Sequence, residues 1–175
     1  MPRLSTERLE LVPITLPMVE AVMQGDRARA EAVAEASLPE AWPGEALIAR
    51  AFGASLEAIR SDPTRRLWGD TLLISRDPAR RVLGSVVFHG LPADGVAEVG
   101  YGVEEESQGQ GYATEATRAC VAWALAQDGI HAVAATVFSW NRPSLRVVEK
   151  LGMAPHGVRD HETLGELLTF ILRRT

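Results

Sequence analysis

The stretch Ser107 to Ala116, SQGQGYATEA, sets Gly109 and Gly111 between an apolar strand-like run and a helix-like run. A loop without Cβ atoms at that point lets successive backbone N–H groups converge on an anion, and the positive end of the following helix reinforces the attraction. The stretch is therefore a candidate phosphate cradle. A glycine turn needed only to reverse the chain is the competing explanation. Two familiar phosphate loops do not fit. A P-loop requires Gly-x-x-x-x-Gly-Lys-Ser/Thr, and neither the lysine nor that spacing is present. A dinucleotide fingerprint requires Gly or Ala where this chain has Thr114. It also needs an acidic residue after the next strand, whereas the next apolar run ends in Ser139 and Trp140.

The pattern that remains is Gln108-x-x-Gly111-x-Ala113, preceded by AEVGYGV (Ala97 to Val103) and followed by NRPSLRVVEKLGM (Asn141 to Met153). In this order and spacing the three segments resemble the GNAT superfamily of N-acetyltransferases, with the matching region running from about Val82 to Val158. TERLEL, Thr6 to Leu11, is similar to the first strand of the branch that includes the ribosomal-protein N-terminal acetyltransferases. The resemblance implies an α/β fold of the α+β kind: a mixed, mainly antiparallel central sheet flanked by helices.

It also implies a cosubstrate and the residues that hold it. Acetyl-CoA would place its diphosphate on Gln108, Gly109, Gln110, Gly111, Tyr112, Ala113 and Thr114. Its pantetheine arm would run beside the strand at Tyr101 and Val103, where the fourth and fifth strands of the family splay apart. Asn141 would hold the pantetheine or orient the start of the last helix, and an ordinary helix cap is the alternative.

Strand alternation supplies the catalytic candidate. Ala97, Val99, Tyr101 and Val103 share one face of their strand, while Glu98, Gly100 and Gly102 share the other. A carboxylate beside two glycines reads as a base next to a groove; a helix packed on the glycines, with Glu98 in a solvated pair, would give the same pattern. An attacking amine must be neutral, yet a lysine amine has a pKa of about 10.4 and an α-amine about 8, so a proton must be removed. Glu98 is the candidate general base, acting directly or through water. Backbone N–H groups of the same strand are candidates for stabilising the oxyanion. Many relatives carry a tyrosine acid where this chain has Val148. Ser144 is therefore the candidate donor to the departing sulfur, as the ribosomal branch suggests, and helix capping is the alternative.

Composition sets the outer bounds. At 175 residues the chain has the length of about one domain, residues 1 to 175, able to bury roughly two thirds of its unfolded surface. A net charge of −5 argues against a nucleic-acid footprint and suits an amine acceptor, either a peptide N-terminus or a small molecule. MPRLSTERLELV lacks a signal-peptide core, and no apolar run reaches membrane-spanning length. A cytoplasmic protein with no membrane partner is expected, and a homodimer is left open. The single cysteine, Cys120, lies on a helical apolar stripe and reads as packing. His89, His131, His156 and His161 lack metal-ligand spacing, so no metal is expected.

The remaining pattern is organised around these motifs. Leu9, Leu11 and Ile14 begin a strand that Pro13 ends or places at an edge, and Pro17 opens a helix. Asp26 to Glu35 and Ala46 to Arg60 read as helices separated by the loop LPEAWPGE. Trp68 to Ser75 and Val82 to His89 form a hairpin around Asp77-Pro78, and Val96 to Val103 completes a meander. Tyr112 to Gln127 is expected to be helical, with Ala113, Ala116, Cys120, Trp123 and Ala124 inward. HAVAATVF, from His131 to Phe138, lacks alternation and predicts a central strand buried on both faces. Pro143 suits the first turn of a helix that Gly152 ends. Glu166 to Leu172 predicts the last strand, with a hairpin partner near His156 to Asp160. Glu104 to Glu106 read as a solvated turn, and Trp42 and Trp68 as core or acceptor-side packing.

The combined expectation is an acetyl-CoA-dependent N-acetyltransferase acting on a primary amine by direct attack on the thioester. Transfer of another acyl group, a non-catalytic acyl-CoA sensor and a nucleotide-binding regulator remain as alternatives.

Overall fold

Leu9, Leu11, Leu73, Val86, Val99 and Val133 each turn inward from a different part of the sheet, so the strands present apolar rows to one common layer. The structure, a computed structural model, describes residues 4–41, 60–61, 68–90 and 92–175. Its elements are β1 (Leu4–Ser5), β2 (Leu9–Pro13), α1 (Leu16–Met23), α2 (Arg27–Ala34), β3 (Asp70–Ser75), β4 (Val82–Phe88) and β5 (Val96–Val103), then α3 (Tyr112–Leu125), β6 (Ala132–Phe138), α4 (Arg142–Lys150), β7 (Ala154–His161) and β8 (Gly165–Arg173). A 3-10 turn at Glu105–Ser107 precedes α3. Most of the predicted helix at 46–60, together with Trp42, lies outside the described residues.

The strands form an eight-stranded sheet in the order β1-β2-β3-β4-β5-β6-β8-β7. The β5–β6 pair is parallel and the other neighbours are antiparallel, which is the mixed, mainly antiparallel arrangement expected. Local chemistry explains several boundaries. Pro13 pairs with Thr71 of β3, while β1 pairs only with Glu10 and Leu11, so the missing N–H of Pro13 falls on a free edge. Asp26 caps α2 by accepting a hydrogen bond from Arg29 N at 3.0 Å. Gly152, directly after the C-cap Leu151 of α4, holds the left-handed backbone that stops a helix, whereas α3 already ends at Leu125 and Gly129 serves the turn beyond it, in which Ile130 N donates to Gln127 O.

Helices cover both faces. Helices α3 and α4 close the main core over Leu9, Leu11, Val86, Val99 and Val133, while α1 and α2 bury Leu72, Ile74 and Val82 on the reverse side. Trp68 belongs to the main core, its ring 4.9 Å from Trp123 and 5.4 Å from Phe88.

Two expectations need correction. The buried stripe of α3 is Thr114, Ala116, Thr117, Cys120, Val121 and Ala124; Ala113 and Trp123 are only half-buried. Thr114 and Thr117 lie on the buried stripe, so the helix is rotated from the face chosen by apolar residues alone. Strand β6 is buried on both faces only at Ala132 and Val133, and beyond them it alternates. The reverse-side core is built on β3 and β4 and does not extend beneath the far half of β6.

Candidate active site

Strands β5 and β6 run side by side only briefly. Val96, Ala97 and Glu98 pair with Ala132, Val133 and Ala134, after which β6 continues along β8 alone. Strand β5 meanwhile stays with β4 as far as Val103. The two parallel strands therefore part beyond Glu98, and the parity of the β5 backbone shows which groups face the gap. Glu98 O accepts from His89 N at 3.0 Å and Glu104 N donates to Leu83 O at 2.8 Å, both toward β4, whereas Gly95 O accepts from His131 N on the β6 side. Odd-numbered residues thus turn their N–H and C=O groups toward β6. Val99 N–H still belongs to the ladder at Ala134, while the C=O of Val99 and both groups of Tyr101 and Val103 face the opening, and Val103 O accepts from Gln108 Nε2 at 3.0 Å.

The glycine loop stands at the end of that opening. Gly109 and Gly111 have φ of 74° and 83°, the left-handed region where a Cβ would be strained. Gln108 N donates to Glu105 O and Glu115 N to Gly111 O. Between those two, the amides of Gly109, Gln110, Gly111, Tyr112, Ala113 and Thr114 donate to no group among the described residues. Six unengaged donors at the positive end of a fourteen-residue helix, next to an unpaired strand edge, suit an extended anionic ligand of diphosphate type. Of the three carboxylates upstream, Glu104 and Glu106 both pair with Arg81. Glu104 is not solvated: its side chain is 8% exposed, accepts from Ser107 Oγ and from Glu106 N at 3.1 Å, and pairs with Arg81 at 3.4 Å.

Glu98 lies on the other face of β5, with its side chain 44% exposed and Oε1 3.8 Å from His89 Nδ1. The groove expected along this face is partly filled. A Cβ on Gly100 would stand 3.1 Å from Val87 Cγ1 and 3.2 Å from His89 Nε2, so that glycine makes room for the imidazole. A Cβ on Gly102 would meet nothing within 4 Å, and the space there is open.

Helix α4 supplies the opposite wall. Asn141 caps it, Oδ1 accepting from Ser144 N at 3.3 Å. Capping therefore falls to Asn141 and not to Ser144, whose hydroxyl makes no hydrogen bond among the described residues. Tyr101 reaches across from β5, its Oη donating to Ser144 O at 2.9 Å. Burial pushes the Tyr101 phenol up to about 12, against the opposing effect of that hydrogen bond. Val148 is a core residue, 1% exposed.

Two contributors escape a reading by motif. His89 faces Glu98 because the β4–β5 hairpin pairs Phe88 with Val99, a register its turn hints at but does not fix. Arg8, in the turn between β1 and β2, donates from Nη1 to Gln110 O at 2.9 Å and from Nε to Glu115 Oε2 at 2.7 Å. Its guanidinium carbon lies 4.3 Å from the centre of the Tyr112 ring. Thr6 Oγ1 donates to Glu115 Oε1 at 2.5 Å. Burial pushes the Glu115 carboxyl up, but the hydrogen bonds from Thr6 and Arg8 and the Arg8 charge outweigh it and hold the group below the usual carboxylate range.

A family model described as an acetyltransferase (GNAT) domain matches residues 8–154. The Bacillus subtilis (strain 168) N-acetyltransferase YjdG, itself uncharacterized, is 24% identical over 150 residues, covering 85% of this chain and 88% of YjdG. YnaD, another uncharacterized N-acetyltransferase of that organism, is 32% identical over 76 residues, so the match spans only 45% of YnaD and 43% of this chain. Among solved structures, a ribosomal-protein-S5-alanine acetyltransferase from Vibrio fischeri superposes with a TM-score of 0.69 at 15% identity, covering 99% of this chain and 97% of its own. That likeness concerns the fold.

Proposed function

Because the chain belongs to the GNAT family of acyltransferases, we propose that it moves an acetyl group from acetyl-CoA to a primary amine by direct attack on the thioester. The observation that carries this is the run of six amides from Gly109 to Thr114 that are unengaged among the described residues, beside the edge of β5 that β6 leaves. When bound, the cosubstrate supplies an activated acetyl thioester. The cradle amides would hold its diphosphate, and the backbone groups of Tyr101 and Val103 its pantetheine arm.

The chain's own residues divide the remaining work. Glu98 takes the proton from the attacking amine, and His89 lies beside it to orient the carboxylate. Backbone N–H groups of β5 that face the gap would donate to a developing oxyanion. The hydroxyl of Ser144, at the start of α4, donates toward the departing sulfur. A thiol with a pKa near 8.5 leaves with little assistance, so this donor has the smallest share of the chemistry. The acceptor is either a protein N-terminus or a small-molecule amine in a cytoplasmic setting.

A non-catalytic acyl-CoA sensor is the second reading, favoured by Val148, which places a core side chain where many relatives carry an acid. Coenzyme A release measured with a panel of amines separates the two. Turnover with at least one amine supports the transferase, and tight acetyl-CoA binding without turnover on any amine overturns it.

A further inference from the structure

One carboxylate near the cradle is in the wrong place for an anion site unless something neutralises it. Glu115 lies in the first turn of α3, where the helix dipole favours it but a neighbouring diphosphate would be repelled. Both of its oxygens are fully engaged. Oε1 accepts from Thr6 Oγ1 at 2.5 Å and from Arg8 N at 3.0 Å, while Oε2 faces Arg8 Nε at 2.7 Å and Nη2 at 2.6 Å. The same guanidinium holds Gln110 O through Nη1, lies over the Tyr112 ring, and comes within 3.5 Å of where a Cβ of Gly111 would be. A planar trans peptide points its C=O and the next N–H in opposite directions. Holding Gln110 O on the Arg8 side therefore turns Gly111 N–H away from Arg8.

The anchoring point is itself fixed. Arg76, at the end of β3, donates from Nη1 to Thr6 O at 2.8 Å, and its backbone N donates to Arg8 O at 3.0 Å. Leu9 and Leu11, immediately after the turn, are fully buried under α3. An exposed ion pair normally contributes little to stability, and Arg8 is 42% exposed. Its three simultaneous contacts on one loop and one helical turn act on geometry instead.

We propose that Arg8 is a positioning residue for diphosphate binding: from the β1–β2 turn it neutralises Glu115 and fixes the Gln110 peptide so that the Gly109–Thr114 amides face the ligand. This rests on the coenzyme reading of the glycine loop. Arg8 does not touch the reacting atoms, so its effect falls on the affinity for acetyl-CoA and spares the chemical step.

The test compares the full chain with Arg8→Ala, Arg8→Lys and Glu115→Gln, using two acetyl donors: acetyl-CoA, and S-acetyl-N-acetylcysteamine, which keeps the thioester and lacks the diphosphate. For Arg8→Ala the KM and Kd for acetyl-CoA rise about tenfold, as expected for losing one charged hydrogen-bond set, while kcat and kcat/KM with the truncated donor stay at the wild-type values. Arg8→Lys, which keeps the charge but loses the planar fork, recovers part of the affinity. Wild-type affinity for acetyl-CoA in Arg8→Ala, or an equal loss with both donors, overturns the proposal. Should Arg8→Ala fail to fold, Arg8→Lys takes its place in the donor comparison, and either of those two outcomes in it overturns the proposal equally. Glu115→Gln, which removes the charge that Arg8 neutralises, loses less acetyl-CoA affinity than the Arg8 variants, and a greater loss also overturns the proposal. A wild-type chain that turns over the truncated donor but has no measurable affinity for acetyl-CoA overturns the coenzyme reading and this proposal with it.

Discussion

His89 Nδ1 stands 3.8 Å from Glu98 Oε1, and Gly100 leaves the space that lets the imidazole lie there. The pair faces the side of β5 away from the main core, next to the point where β5 leaves β6. A carboxylate that removes a proton from an amine has to be reachable by that amine, and an exposed group at this position is. Replacing Glu98 by Gln keeps the shape and removes the base. We expect kcat to fall by about a hundredfold or more, the usual worth of a positioned base, with acetyl-CoA affinity unchanged. An unchanged steady-state rate would reject the role.

Gly84 and Gly102 oppose each other in kind. A Cβ on Gly84 would lie 2.1 Å from Gly102 O, so Gly84→Ala must push β4 and β5 apart. Overpacking against backbone of this sort costs about 3 kcal/mol, and a denaturant melt should show a loss of that order. Around Gly102 there is open space, and Gly102→Val should fold with a midpoint close to wild type. Its side chain would enter the open face beside Glu98, so turnover should drop while stability holds. A stable, fully active Gly102→Val would show that this space is not used.

Acid stability follows from Glu115. Its carboxyl is held below the usual range in the folded chain, so between the folded value and the unfolded one near 4.5 the unfolded state binds more protons. The contribution of Glu115 to stability is therefore present above about pH 4.5 and fades as pH falls through the folded value. Chemical denaturation across the acid range should show the wild type losing more stability than Glu115→Gln. Parallel curves would contradict the assigned pairing.

Alkaline behaviour is set by Tyr101. With the phenol raised to about 12, the folded state holds its proton where an ordinary tyrosine, at 10.0, has lost it. Stability from this group is complete below pH 10 and falls as pH rises toward 12. Ultraviolet titration should show a tyrosine step near pH 12 that Tyr101→Phe removes. A titration curve left unchanged by Tyr101→Phe in that range would place the Tyr101 ring outside the wall it is assigned to.

Much of this arrangement can be read from local chemistry. The bounds of β5 follow from AEVGYGV, whose apolar alternation is interrupted only on one face, and the glycines at 109 and 111 announce the left-handed turn they make. Pro17 and Pro143 fall in the first turns of α1 and α4 as their fixed φ demands. What stays hidden depends on distant pairs. Thr6 and Arg8 meet Glu115 across more than a hundred residues, and no spacing rule connects a β-turn to a helix that far away. The rotation of α3 toward Thr117 and Val121, and the half-open face of β6, are decided by which helices cover which strands, a property of the assembled layers. In the sequence His89 is only one of four histidines, and it is the register of β4 on β5 that sets it opposite Glu98.

The most direct test of the coenzyme site follows the backbone amides themselves. In a titration of the ¹⁵N-labelled full chain with acetyl-CoA, the resonances of Gly109 through Thr114 should move together, and their N–H groups should become protected from hydrogen exchange at saturation. If acetyl-CoA binds while those six amides keep both their positions and their exchange rates, the cradle is not where the diphosphate sits.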